Sequence, residues 1–234
     1  MEGRDPSKVY IVVRVHLGVH FKNTNTMKIT LNQGQELYFT SDTHINHKNI
    51  CRGVSEWIMD PKMADFRTRD FPNLDKMNST IIDNINSRVG QDDILIHLGD
   101  FSFGGHQHIP EFRQRIICQN VILLFGNHDE HIQKNTGDYQ SLFSSVHHYL
   151  ELEVDDHKFV LSHFPIASWN KLAKGWMHLH GHVHFPKDRK VGPGKMLDVG
   201  VDGNDLMPYS LREVLSLIKD RPIKSLFEYD HHVR

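Results

Sequence analysis

Residues 94–100 read Ile-Leu-Ile-His-Leu-Gly-Asp, an apolar run that ends in a glycine and an aspartate. A short β-prone run of this kind, closed by a turn residue, is typical of a strand buried inside a domain. We predict that strand over residues 94–98. Similar runs, each closing on Gly, Ser, Asp or His, predict further buried strands over residues 37–40, 121–125, 159–161, 177–179 and 196–201.

Helical patterns occur between and after these runs. Apolar residues recur at steps of three and four from Leu74 to Val89, behind an N-cap candidate at Asn73. A second helix is predicted over residues 110–117, and a third behind the capping-box pair Ser210 and Glu213. Strands and helices intermixed in this way predict an α/β domain of two packed sheets flanked by helices.

The composition is that of an ordinary globular chain. Its 234 residues are 38% hydrophobic, which argues against a disordered chain. The formal net charge of -2 gives no overall positive field that would attract nucleic acid. We predict an N-terminal appendage over residues 1–26, either an added edge strand at residues 9–15 or a disordered leader, and a domain over 27–234. Two cysteines form no disulfide framework and the run at 9–15 is too short for a bilayer, so we expect a cytoplasmic protein without membrane contact.

Polar clusters directly follow five of the predicted strands. In an α/β fold, the carboxyl ends of the strands gather ligand-binding loops at one rim of the sheet. Each cluster alone is common by chance, whereas five of them in strand-to-loop contexts are not. The clusters are Ser41-Asp42-Thr43-His44, Gly99-Asp100, Gly126-Asn127-His128-Asp129, Ser162-His163 and His180-Gly181-His182-Val183-His184.

This ordered set of motifs resembles the calcineurin-like metallophosphoesterase superfamily over roughly residues 37–208. The residues in and around the motifs are similar to those of the small single-domain phosphoesterases of bacteria and their phages. The resemblance implies a four-layer α/β/β/α sandwich of two mixed sheets, with a dinuclear metal site at the carboxyl-terminal rim of the strands. After Gly99-Asp100 the chain continues Phe-Ser-Phe-Gly, where protein serine/threonine phosphatases carry Gly-Asp-x-x-Asp-Arg-Gly. A protein phosphatase is therefore not expected.

The resemblance also implies two metal ions and their ligands. A two-metal site needs a carboxylate that bridges the ions, and Asp100 is the candidate. Mixed oxygen and imidazole ligands without thiolate favour Mn or Fe, with Zn, Ni or Co as alternatives. A hydroxide bridging the ions would be the nucleophile. One ion would be held by Asp42, His44, Asp100 and His184, and the other by Asp100, Asn127, His163 and His182.

Further residues are predicted to act on the substrate. His128 matches the family's catalytic histidine and is the general-acid candidate. Asp129 would orient or charge-stabilise His128, or instead cap the following segment. Arg69 and His47 are predicted to bind substrate phosphate, although a salt bridge is the usual role of a single arginine and a bystander role is the alternative for the histidine.

The expected substrate is a small phosphate ester, nucleotide-like, with the choice between diester and monoester open. Four aromatic residues near the ligands could stack a nucleobase, and we expect at least two of them to be core residues instead: Phe101, Phe103, Phe164 and Trp169. Long nucleic acid is not favoured, yet a single-strand nuclease is the alternative within the same chemistry. A phosphoesterase-fold interaction module without catalysis is the other alternative, and the presence of His128 argues against it.

Overall fold

The computed structural model describes residues 26–56, 69–103, 105–135 and 137–227. Within these ranges the chain forms ten strands and four α-helices. The strands are β1 (Thr26–Ile29), β2 (Leu37–Thr40), β3 (Ile94–His97), β4 (Asn120–Leu124), β5 (Ser145–His147), β6 (Tyr149–Val154), β7 (His157–Ser162), β8 (Met177–His180), β9 (Met196–Asp198) and β10 (Tyr209–Ser210). The helices are α1 (Leu74–Arg88), α2 (His108–Arg115), α3 (Glu130–Lys134) and α4 (Leu211–Ile218).

The strands form two five-stranded mixed sheets. The first sheet has the order β10-β2-β3-β4-β5, in which β2 to β5 run parallel and β10 is antiparallel to β2. The second sheet has the order β1-β6-β7-β8-β9, in which only the β6 and β7 pair is antiparallel. Because β2, β3 and β4 run parallel, their carboxyl ends meet at one edge, as do those of β7 and β8.

Apolar side chains fill the space between the two sheets. Phe39 of the first sheet lies against Phe159 of the second, with ring centroids 5.7 Å apart. Ile96 also faces this inner core, whereas its neighbour Leu95 faces α1 and α2 on the outside of the first sheet. Burial on both faces explains why β3 is a continuous apolar run instead of an alternating one.

The outer layers differ between the sheets. The stripe Met77, Ile81 and Ile85 of α1 packs on the first sheet, and the Asn73 side chain caps that helix by accepting from the Lys76 N–H at 2.9 Å. The outer face of the second sheet is covered by Trp169 and Trp176. At 15 residues α1 is the longest helix of the described ranges, and no helix there has the length and hydropathy that crossing a bilayer requires.

The architecture confirms the predicted α/β fold of two mixed sheets flanked by helices. All six predicted strands and all three predicted helices are present, with ends that differ from the prediction by at most three residues. The capping box of Ser210 and Glu213 is formed at α4. The predicted edge strand at residues 9–15 lies outside the described residues, and the division into 1–26 and 27–234 stays a prediction.

Candidate metal centre

Five loops meet at the carboxyl ends of strands from both sheets. The first sheet contributes the loops after β2, β3 and β4, and the second contributes those after β7 and β8. These loops carry all seven predicted metal ligands, and they bring them together at the seam between the sheets: Asp42, His44, Asp100, Asn127, His163, His182 and His184.

One group of ligand atoms is formed by Asp42, His44 and His184, which lie close enough together to hold one ion. The Nε2 atoms of His44 and His184 are 3.1 Å apart. The Asp42 Oδ1 atom lies 3.8 Å from the His44 Nε2 and 3.6 Å from the His184 Nε2. We call this group the first site.

A second group is formed by Asp100, His163 and His182, with the Asn127 amide beside them. The Asn127 Oδ1 lies 3.1 Å from the His163 Nε2 and 3.0 Å from the His182 Nδ1. The His163 Nδ1 lies 2.8 Å from the Leu98 carbonyl oxygen, which can only accept. His163 therefore carries a proton on Nδ1 and directs its Nε2 atom into this group, which we call the second site.

Asp100 lies between the two sites. Its Oδ2 atom is 3.3 Å from the His44 Nε2 of the first site and 3.4 Å from the His163 Nε2 of the second. Its Oδ1 accepts the backbone N–H of His128 at 2.8 Å, so the orientation of the carboxylate is fixed. A single carboxylate oxygen facing one imidazole of each site is the arrangement that a bridging ligand requires.

The chemistry of this donor set fits divalent cations. Asp42 is fully buried and Asp100 nearly so. Burial raises the pKa of Asp42 to about 6, which measures the cost of a negative charge held away from water. Cations would offset that cost, and the mixture of carboxylate, amide and imidazole donors suits Mn, Fe, Zn, Co or Ni.

The backbone of the ligand loops is strained. Five of the seven predicted ligands have φ in the left-handed region: Asp42 (56°), His44 (44°), Asp100 (55°), His182 (72°) and His184 (50°). Side-chain-bearing residues rarely adopt this conformation, which costs on the order of 1 kcal/mol each. Two glycines allow the loops to approach, since a Cβ at Gly126 would collide with Asp100 and one at Gly181 with Ser41 and Asp42.

Comparison with known proteins agrees with this geometry. A profile of the calcineurin-like phosphoesterase family matches residues 36–215. The chain belongs to this family. Membership confirms the predicted family, and it implies divalent metal ions and phosphoester hydrolysis.

Three relatives cover most of the chain. An uncharacterized protein of Methanocaldococcus jannaschii is 28% identical over 191 residues, which is 79% of this chain and 92% of that protein. The gene 66 protein of Mycobacterium phage D29 is 26% identical over 212 residues, or 79% of this chain and 96% of its own. A solved structure of a protein of unknown function from Aquifex aeolicus has 25% identity and a TM-score of 0.54, and the match covers 79% of this chain and all of that one (100%).

Behind the first site of this phosphoesterase lies a buried ion pair. The His184 Nδ1–H donates to the Asp202 Oδ2 at 2.6 Å, and this contact leaves the Nε2 lone pair for the first site. Asp202 in turn accepts from Arg69 at both oxygens, at 2.9 and 3.0 Å. Burial alone would raise the pKa of Asp202, but the Arg69 charge lowers it well below its usual range.

The geometry corrects the prediction for Arg69. Its guanidinium is buried and donates to Asp202, to the Thr43 carbonyl at 2.9 Å and to the Asp42 carbonyl. Four of its N–H groups are thus directed at protein atoms, so it has little capacity left for a substrate phosphate. Arg69 is better described as a residue that positions the loop after β2. No local sequence pattern indicates the role of Asp202, its partner 133 positions away.

Asp129 joins two of the ligand loops. Its carboxylate accepts the backbone N–H groups of Asp100 at 2.7 Å, Phe101 at 2.9 Å and Gly126 at 2.8 Å. It makes no side-chain cap to α3, so the capping alternative is wrong. Burial raises the pKa of Asp129 to about 6. A direct action of Asp129 on the His128 ring stays a prediction, and the contacts show a residue that holds the loops after β3 and β4 together.

His128 and His47 both lie next to His44 of the first site. The His128 ring is half-buried, with its centroid 5.1 Å from His44 and 5.8 Å from His47. One ring nitrogen of His128 also lies within 4.8 Å of the ligand atoms of His44 and Asp100. Burial lowers the pKa of His47 to about 4, so this residue is a neutral imidazole at physiological pH.

The four aromatic residues divide into two pairs, as expected. Phe101 and Trp169 are core residues, whereas Phe103 is 40% exposed and Phe164 is 48% exposed. Phe103 stacks on His47, with centroids 4.1 Å apart, and lies 5.3 Å from His128. Phe164 lies on the other side of the centre, 4.9 Å from His163 and 4.7 Å from His182. The metal centre is therefore flanked by two exposed rings.

Proposed function

We propose that this chain is a two-metal phosphodiesterase or phosphomonoesterase that acts on nucleotide-like substrates. The observation that carries the proposal is the position of Asp100, whose Oδ2 faces one imidazole of each site at 3.3 and 3.4 Å. The seven predicted ligands, Asp100 among them, come together there from five loops. An isolated histidine cluster on a surface would have no reason to share one central oxygen.

The first site would hold one ion through Asp42, His44, Asp100 and His184. The second would hold the other through Asp100, Asn127, His163 and His182. When bound, two such ions supply Lewis-acid activation of water and of the phosphoryl oxygens. Mn or Fe is the proposed occupant, on the basis of the mixed oxygen and nitrogen donors.

His128 is proposed to donate the proton that the leaving oxygen needs. Its backbone N–H is bonded to Asp100, so its ring is held beside the bridge. Asp129 fixes the same loop by accepting from Gly126. His47, the neighbour of both His44 and His128, is proposed to contact the substrate phosphate as a neutral hydrogen-bond donor.

Activity with defined esters tests the proposal. Metal-free protein is reconstituted with Mn²⁺ and assayed with bis-p-nitrophenyl phosphate and with p-nitrophenyl phosphate, and the chelated protein serves as the control. We expect metal-dependent turnover, and the ratio of the two rates separates diesterase from monoesterase. Cleavage of single-stranded oligonucleotides would instead favour the nuclease alternative. Full metal loading without turnover of any ester would favour an interaction module.

The His128→Ala variant tests the general acid. We expect it to keep both metals and to lose about 10²- to 10⁴-fold in kcat on alkyl phosphate esters. The loss should be much smaller on p-nitrophenyl esters, because p-nitrophenolate leaves without a proton. His148→Ala, which changes an exposed histidine outside the centre, is the matched control. Loss of a metal ion from His128→Ala would make His128 a ligand and would contradict this role.

A further inference from the structure

A cavity of about 360 Å³ opens beside the metal centre on the His128 side. Asn127 and His128 form the wall that it shares with the centre, and Phe103 and His131 form part of its other walls. The volume falls in the range of pockets that hold small organic molecules. A group that occupies this cavity is next to His128, where the leaving oxygen of a substrate would receive its proton.

Aromatic and apolar side chains form part of the cavity wall. Phe103 is backed on one face by the His47 ring, which holds it in place and leaves the ring partly exposed. His131 is paired with His106 at a centroid distance of 4.4 Å. Two isoleucines that are otherwise buried, Ile109 and Ile132, also line the cavity. Such walls favour a flat, weakly polar group that can stack.

The charges at the cavity point to an uncharged occupant. Among the described residues, no lysine or arginine lines it. The Asp129 carboxylate is occupied by three backbone N–H groups, whereas Glu130 is exposed and pairs only with Lys134 among the contacts that the structure gives it. The exposed Glu130 carboxylate, although paired with Lys134, can still accept a hydrogen bond from an amino or hydroxyl group.

We infer that this cavity binds the leaving nucleoside of the substrate, with its base stacked on Phe103. The inference rests on the proposed phosphoester hydrolysis and adds the substrate class, a nucleoside ester in which the departing alcohol is the nucleoside. The phosphate lies at the metal centre and the sugar joins it to the base. A leaving nucleoside that carries its own phosphate, as within a long strand, would find no lysine or arginine among the described residues of this wall.

Matched substrates test the inference. Mn²⁺-loaded enzyme is assayed with a dinucleoside monophosphate and with two analogues in which one or the other nucleoside is replaced by an abasic sugar. Removal of the leaving-side base should lower kcat/KM by about 5- to 150-fold, which corresponds to the free energy of stacking one base on an aromatic side chain. Removal of the other base should have a much smaller effect.

Variants assign the effect to the cavity. Phe103→Leu keeps an apolar side chain without a stacking face, so it should reduce the penalty for the abasic leaving group to less than about 3-fold. Phe164→Leu, the matched change at the exposed ring on the opposite side, should keep the wild-type penalty. Calorimetric titration of metal-free protein with adenosine gives a second readout, in which Phe103→Leu weakens binding and Phe164→Leu does not.

The outcomes separate the two proposals. Failure of the reconstituted enzyme to hydrolyse bis-p-nitrophenyl phosphate would overturn the proposed function. Turnover of that ester without turnover of the dinucleoside, or with no penalty for the abasic leaving group, would overturn only the nucleoside cavity. An equal penalty in the wild type and in Phe103→Leu would also overturn it.

Discussion

The two sheets contribute different chemistry to the same centre. The first sheet supplies every oxygen donor, from Asp42, Asp100 and Asn127, together with His44. The second sheet supplies only imidazoles, those of His163, His182 and His184. Each proposed ion would therefore take charge-compensating oxygens from one sheet and neutral nitrogens from the other. An ion bound in this way would also crosslink the two sheets.

The largest effect is expected from a change at Asp100, whose carboxylate faces both sites. Asp100→Asn keeps the shape of the side chain but removes the charge that both sites use. We expect loss of metal from both sites and a fall in kcat/KM of about three orders of magnitude or more, since metal activation contributes several kcal/mol. Elemental analysis and steady-state kinetics measure the two effects. Asp156→Asn, at an exposed turn, is the control, and full retention of both metals in Asp100→Asn would refute the bridge.

Metal removal tests the crosslink itself. An ion present at 100 times its Kd stabilises the folded state by about 3 kcal/mol, because the unfolded chain lacks the site. We expect chelation to lower the unfolding midpoint of the wild type by several degrees. The same treatment should leave Asp100→Asn unchanged. A wild-type midpoint that does not respond to metal would show that the ions do not join the sheets.

The second sheet's imidazoles also differ from one another. His184 is half-buried and is backed by the Asp202 and Arg69 pair, whereas His182 is exposed and its Nδ1 meets the Asn127 amide. Asp202→Asn removes the charge behind His184, and we expect the first-site metal affinity to fall about 10- to 100-fold. His182→Ala should weaken the second site instead. Titration of metal-free variants with Mn²⁺, followed by electron paramagnetic resonance, resolves the two sites.

Identical titrations of Asp202→Asn and the wild type would mean that Asp202 does not tune the first site. The thermal unfolding of each metal-free variant, recorded alongside, separates lost affinity from a general loss of folding. Because Asp202→Asn also takes the carboxylate partner from the buried Arg69, we expect the midpoint to fall as well, while the loss of metal affinity stays confined to the first site.

Sequence patterns predict the elements whose apolar residues recur clearly within a short window, and they miss most of the elements that are too short to show such a pattern. The stripe of α1 and the apolar run of β3 are visible in short windows, and both were located within a few residues. β5 was missed because it has only three residues, and α3 because five residues are too few to show a helical period. β6 was also missed, although the alternation in Tyr149–Val154 is typical of a strand with one polar edge.

The residues of the candidate site also divide into those that local sequence patterns predict and those that such patterns miss. The ligands follow strand ends in a recognisable order, so their positions were available from the sequence. The Asp202 and Arg69 pair was not, because the two residues are 133 positions apart and neither lies in a local pattern with the other. The role of Asp129 was hidden for a related reason, since its partners are backbone N–H groups on a separate loop, which no side-chain motif records.

The smallest expected effect compares the sheets through their buried histidines. His97 in β3 of the first sheet and His178 in β8 of the second are both buried, and burial lowers the pKa of each to about 3. His178 is a neutral imidazole here, because its Nδ1–H donates to the Val160 carbonyl at 2.9 Å and its Nε2 accepts the Ile166 N–H at 3.0 Å. A second proton on this ring would face a donor and would break that contact.

The unfolded chain therefore binds more protons than the folded one between pH 3 and the ordinary histidine pKa of 6.5. The contribution of His178 is complete above pH 6.5 and is lost as the pH falls toward 3, with a limiting slope of about 1.4 kcal/mol per pH unit. His178→Gln should reduce the slope of the free energy of unfolding against pH by the contribution of one histidine. Urea unfolding of the chelated protein from pH 7.5 to 4.5 measures this slope. Val160→Ala, which removes packing beside the same ring, should shift the free energy of unfolding at every pH and keep the slope. An unchanged slope in His178→Gln would mean that His178 does not stay neutral in the folded protein. The second sheet would then differ from the first in how it holds its buried histidine.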